Sequence, residues 1–197
     1  MNEDDAPALA LGRVRTMTHR YILTGMPGAG KTSIVRRLEM LGQVVVAEAA
    51  TDIIALDQLE GIAEPWCAPD FIDRIVTLQR RRQTLMAGVQ PSVQFFDRSP
   101  VCTYALALFL GYPPSDLLLE ELTRIERERT YRPDVFFIDN LGFCTPTEAR
   151  RISFEDALRF ERVHEDAYRT FGYRCIRIAP GSVAARAERI LAGVGKS

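Results

Sequence analysis

Eight residues, Gly25-Met26-Pro27-Gly28-Ala29-Gly30-Lys31-Thr32, constrain the fold of this 197-residue chain more than any other segment. Closely spaced glycines let a backbone curl without Cβ clashes, so that successive N–H groups converge on one centre and cradle an anion. In the pattern G-x-x-x-x-G-K-T, Lys31 can reach β- and γ-phosphates and the Thr32 hydroxyl suits Mg²⁺. Pro27 has no N–H, so the donors are expected from Gly28 through Ser33, with Ala29, Gly30, Lys31 and Thr32 between, and Gly25 opening the turn.

The flanks of this loop set its context. Tyr21-Ile22-Leu23-Thr24 is a short apolar run that reads as a buried strand. In Ser33 to Leu41 the residues Ile34, Leu38 and Leu41 recur at helical spacing, and Gly42 supplies a stop. Strand, glycine loop and helix N-terminus is the arrangement that places a phosphate on a helix dipole.

The same alternation continues to the end of the chain. Further strands are expected at Gln43–Ala47, Ser92–Asp97, Asp134–Asp139 and Tyr173–Ile178. Between them, Ile53, Ile54, Leu56 and Leu59 suggest one helix. Phe71, Ile75, Leu78, Leu85 and Met86 suggest another, N-capped by Asp70. Ser99-Pro100 reads as an N-cap with proline at the first helical position, opening an almost wholly apolar helix to Leu110. A charged helix starts at Ser115 or Asp116, Ser153 to Asp156 reads as a capping box, and Val183 to Leu191 is a last helix. Five strands separated by helices imply a three-layer α/β/α sandwich around a mainly parallel sheet, with ligands at the strands' carboxyl ends. Residues 1–18 are expected to be a leader, and 19–197 one domain with a lid near residues 140–153.

Composition narrows the classes. Lys plus Arg number 25 against 26 Asp plus Glu, a net charge of −1, which gives no support for general nucleic-acid binding. No apolar run approaches membrane-spanning length, and the start Met1-Asn2-Glu3-Asp4-Asp5 lacks a signal peptide's layout. Cys67, Cys102, Cys144 and Cys175 are widely spaced, and only His19 and His164 are available, so neither a zinc site nor a disulfide framework is expected. A cytoplasmic protein without membrane or nucleic-acid partners fits; oligomeric state is not legible.

Chemistry is expected where polar residues follow strands: Gly25, Glu48, Asp97 and Asp139. Asp97 suits the Mg²⁺ site, and Arg98 can neutralise phosphate charge; the other reading is that both only cap or pair locally. Glu48 can accept a proton from a substrate hydroxyl, or serve as a first-turn acid on its helix. Arg150 and Arg151, beside Glu148, either close over phosphates or lie on the surface. Arg74, Arg80, Arg81 and Arg82 form a basic stretch that binds an anionic acceptor or faces solvent, and Trp66 stacks on a ring or packs its own loop.

Together these residues resemble the P-loop nucleoside and nucleotide kinases. Within them, the chain is similar to AAA-labelled ATPase/kinase-like domains related to the nicotinamide riboside kinase domain of the bacterial NAD regulator. The resemblance runs over roughly residues 20 to 192. It is carried by the glycine loop, Glu48-Ala49-Ala50, Asp97-Arg98, Gly172-Tyr173 and Ala185-Arg186. It implies ATP and Mg²⁺ as cofactors, Glu48 as general base, Asp97-Arg98 as the acid–arginine pair, and a lid around Arg150-Arg151. Relatives often carry D-x-x-R in that lid, where this chain has Glu148-Ala149-Arg150-Arg151. The expected activity is a small-molecule kinase with Lys31, Arg98 and Arg151 around the γ-phosphate; the alternative is a nucleotide switch or accessory ATPase acting through a protein partner.

Overall fold

The computed structural model describes residues 18–87, 91–142 and 153–195. Cys144, Glu148, Arg150, Arg151, nearly all of the expected leader and most of the expected lid lie outside the described residues. Strands β1 (His19–Thr24), β2 (Val44–Val46), β3 (Val93–Asp97), β4 (Asp134–Ile138) and β5 (Arg174–Ile178) form one sheet in the order β2-β3-β1-β4-β5. Every pairing in it is parallel. The helices are α1 (Lys31–Met40), α2 (Ala49–Leu59), α3 (Phe71–Met86), α4 (Pro100–Leu110), α5 (Asp116–Arg127), α6 (Phe154–Thr170) and α7 (Val183–Gly193).

Successive strand side chains point to opposite faces, and both faces are covered. Tyr21, Leu23, Phe95 and Phe136 pack with Ile34, Leu38, Ala187 and Ile190, placing α1 and α7 on one side. Ile22, Phe96 and Val135 pack with Ile53, Ile75, Val101, Leu122 and Tyr168, from α2 to α6, on the other. The result is the expected three-layer sandwich.

Register aligns the carboxyl ends. Leu23 of β1 lies opposite Asp97, Thr24 opposite Phe137, and Val46 of β2 opposite Phe96. The segments leaving β1, β2, β3 and β4 therefore emerge at one edge, and Gly25, Glu48, Arg98 and Asp139 begin there.

Several local expectations change. Leu56 and Leu59 are 59% and 86% exposed, because α2 buries Ala49, Ile53 and Asp57, a stripe at i, i+4 and i+8. Asp57 is tolerated inside because Arg74 donates two hydrogen bonds to it, at 2.8 and 2.5 Å, holding its carboxyl below the usual range. Leu85 is also exposed. Neither Asp70 nor Ser99 caps through its side chain. Ser153 accepts from Asp156 N at 3.0 Å, but the Asp156 carboxylate accepts from the Ser153 hydroxyl at 2.8 Å instead of returning to a backbone amide.

Candidate active site

The glycine loop is built by backbone geometry. Gly25 has φ +137°, and a Cβ there would collide with the Ile138 carbonyl oxygen and stand 3.2 Å from the Ile138 Cβ. β1 and β4 thus approach closely enough to require glycine where the loop departs. Gly28 and Gly30 have φ +82° and +80°, with Gly30 as the left-handed cap residue of α1. Ala29 N donates to Met26 O at 3.3 Å and Ile34 N to Gly30 O at 3.3 Å, which turns the loop into the helix. The first turn of α1 carries no acidic residue, so its positive end is not offset locally. Thr32 and Ser33 are exposed there, and Lys31 is buried at the first helical position.

Glu48 and Arg98, read separately from strand ends, are brought together. Arg98 Nε lies 2.5 Å from Glu48 Oε1, with the side chains 9% and 12% exposed. Thr51 Oγ1 donates to Glu48 Oε2 at 2.9 Å and orients the carboxylate. Arg98 has φ +72°, an uncommon backbone state for arginine, and its N donates to Leu23 O at 2.9 Å. Burial works against its charge, but Glu48, Cys102 and Asp97 hold its pKa above the ordinary value.

The third member of this group was not found in the sequence. Arg98 Nη1 lies 3.1 Å from His164 Nε2, and His164 Nδ1 lies 3.2 Å from Phe160 O. A guanidinium only donates, so Nε2 accepts, and the ring is neutral with its proton on Nδ1, donated to the carbonyl. Burial first, then Arg98, push the His164 pKa well below its usual value; Lys31 adds to this, while the Phe160 carbonyl and Glu48 oppose it. Such a group adds stability above pH about 6.5 that is lost as pH falls through its native pKa. His164→Leu is expected to cost about 2 kcal/mol at pH 7.5, and the gap from wild type should narrow toward pH 5. Urea unfolding at both pH values checks this; a constant gap would rule out the neutral-ring assignment.

Behind the loop, a chain of buried polar side chains ties three elements. Thr24 Oγ1 and Cys102 Sγ are 3.2 Å apart, Cys102 Sγ and Tyr168 OH 2.9 Å, and Ser99 Oγ and Tyr168 OH 2.9 Å. Ser99 is committed to Tyr168, which is why it makes no cap bond. Burial, then the neighbouring Cys102, push the Tyr168 hydroxyl pKa well up, so it stays protonated and can donate. Arg186 of α7 is a second residue whose contacts the sequence did not disclose. Its Nη1 donates to Ala29 O at 2.9 Å and its Nη2 to Asp139 O at 2.8 Å.

Asp97 is buried at the end of β3, and Thr32 offers a hydroxyl on the first turn of α1. Oxygen donors of this kind suit Mg²⁺, which takes one or two protein oxygens and fills its shell with water and phosphate. Among the described residues no group of three or more His, Cys, Asp or Glu is placed to hold a metal ion.

A cavity of about 110 Å³ opens beside this group, lined by Pro27, Glu48, Gln79, Arg98, Thr103 and Phe160 among others. Thr103 Oγ1 donates to Gln79 Oε1 at 3.0 Å within it. A larger hollow of about 660 Å³, near His19, Arg20, Tyr131 and Tyr173, includes none of the glycine-loop residues and lies where strands begin. The smaller one is the relevant one, because it adjoins the cradle and the carboxylate. Of the basic stretch, Arg74, Arg80 and Arg82 pair with Asp57, Glu121 and Asp52, while Arg74 and Arg81 line one hollow of about 310 Å³ together with Asp73. Trp66 packs against the core, and its carbonyl accepts from Tyr112 OH at 3.2 Å. Asp139 pairs with Arg177 at 2.6 Å.

No helix among the described residues is long and apolar enough to cross a membrane. A comparison with curated protein sequences finds no match. Among solved structures, deoxyadenosine kinase from M. mycoides is similar at TM-score 0.58 and 13% identity, over 90% of this chain and 100% of that one. Thymidylate kinase from Ehrlichia chaffeensis matches at TM-score 0.59 and 14% identity, over 89% and 97%. The NadR protein in complex with NR matches at TM-score 0.62 and 17% identity, over 91% of this chain and 52% of that one. At these identities the likeness is one of fold. A family model described as an AAA domain matches residues 20–186. The chain belongs to that AAA domain family and has the P-loop α/β fold of nucleoside and nucleotide kinases.

Proposed function

We propose that this protein is a small-molecule kinase that transfers the γ-phosphate of MgATP to a hydroxyl of a nucleoside, nucleotide or related metabolite. One observation carries the reading: the Glu48 carboxylate, oriented by Thr51 and paired with Arg98, lines a cavity beside Pro27 of the phosphate loop. A carboxylate beside the phosphate loop can take a proton from water as well as from an acceptor hydroxyl, and the cavity that Glu48 lines, with room beside it for an acceptor group, favours the hydroxyl. The kinase folds of the similar structures support the same class.

In this reading Gly25 to Ser33 hold the polyphosphate and Lys31 offsets charge on its β- and γ-oxygens. Thr32 and Asp97 would hold Mg²⁺, which would supply positive charge against the negative charge developing on the phosphates. Glu48 takes the acceptor hydroxyl's proton as that oxygen attacks the γ-phosphorus in line, and ADP leaves. Arg98 stands beside both the carboxylate and the transferred group, held by His164. Arg151, which the resemblance would place near the γ-phosphate, lies outside the described residues.

One observation favours the switch or accessory-ATPase reading. The cavity, about 110 Å³, is smaller than the roughly 300–1,000 Å³ of ordinary ligand sites, so a nucleoside-sized acceptor must widen it. The two readings separate on ADP release from MgATP with pooled nucleosides, nucleotides and vitamin-like metabolites. The kinase reading expects one pool to raise turnover; equal turnover in every pool supports the alternative.

A further inference from the structure

Arg186 is 2% exposed, sits at the fourth position of α7, and bridges two carbonyls from separate parts of the chain. One is Ala29 O inside the glycine loop and the other is Asp139 O just beyond β4. Its Nη1 would stand 3.4 Å from a Cβ on Gly30, so the guanidinium lies against the loop's last glycine. In a trans peptide the C=O and the following N–H point in opposite directions. Holding the Ala29 carbonyl toward Arg186 therefore turns the Gly30 N–H away from Arg186.

We propose that Arg186 is a positioning residue for the phosphate site: by gripping Ala29 O it aims the Gly30 N–H at the bound polyphosphate and places a desolvated positive charge behind the loop. This rests on the reading of residues 25–32 as a nucleotide site. Arginine is required because its planar fork spans both carbonyls at once, whereas a lysine ammonium is a single point on a flexible stem. Anchoring at Asp139 O fixes the fork to the sheet, so the loop's donors are set before the anion arrives. Among the described residues the buried Nε of Arg186 has no hydrogen-bond partner, so the hydrogen bonds of the guanidinium there are the two Nη contacts.

The test is equilibrium binding of MgATP and of inorganic tripolyphosphate to the full chain, beside thermal melting, for wild type, Arg186→Met, Arg186→Lys and Arg189→Met. Losing one aligned donor and a nearby charge is expected to weaken both probes about 10- to 100-fold in Arg186→Met. Arg186→Lys should fall between, and Arg189→Met, an exposed position one turn away, should match wild type. A purely structural role would lower the melting temperature and the folded fraction but leave the Kd of the folded protein unchanged. Folded Arg186→Met binding both probes like wild type overturns the proposal. If that variant does not fold, Arg186→Lys decides by the same comparison. Wild type binding neither probe overturns the nucleotide-site reading itself, a result distinct from failure of Arg186 alone.

Discussion

Lys31→Ala is expected to lower ATP-dependent turnover about 10³-fold, the scale seen when one donor to a developing charge is removed. Lys31 is buried at the first position of α1, directly after the left-handed Gly30. Its ammonium is therefore placed by the backbone that shapes the cradle, and little reorganisation is left for the reaction to drive. The substitution shortens one side chain and leaves the loop's glycines and the Arg186 bridge in place, so the melting temperature should stay close to wild type. Steady-state ADP release and a melting curve on the same preparation check both parts. Turnover within tenfold of wild type would remove Lys31 from the phosphate site.

Glu48→Gln is expected to reduce phosphoryl transfer about 10²- to 10⁴-fold, the range for loss of a positioned general base. The amide keeps the size of the carboxylate and can still accept from Thr51, but takes no proton at neutral pH. It also leaves Arg98 buried without its carboxylate partner, which should cost roughly 3–5 kcal/mol of stability. Turnover must therefore be normalised to folded protein measured in the same buffer. A variant with wild-type kcat per folded molecule would show that Glu48 serves only as the counter-ion of Arg98.

The glycine loop and the strand-end residues were legible because their signals are local. A tight turn requires glycine in sequence, and in a parallel sheet the residue after a strand lies at the ligand edge whatever the strand order. His164 and Arg186 were not legible as contacts, because they meet Arg98 and Ala29 across 66 and 157 residues of chain. An unremarkable histidine within a helix carries no mark of the guanidinium it will face. α2 misled for a related reason: Asp57 occupies a core position only because Arg74 from α3 neutralises it, so periodic leucines pointed to the wrong face. Ser99-Pro100 had a helix-start pattern, yet the serine hydroxyl was drawn away by Tyr168 from α6. In each case a distant polar partner outweighed a local preference.

The central claim is transfer to an acceptor in place of transfer to water. The most direct measurement follows both products of MgATP after incubation with the acceptor pool that raises turnover most, using mass spectrometry of the pool and a free-phosphate assay. The kinase account predicts one component gaining a phosphate in step with ADP, with little inorganic phosphate released, and no such product from Lys31→Ala. ADP matched by inorganic phosphate, with every component of every pool unchanged in mass, would contradict it.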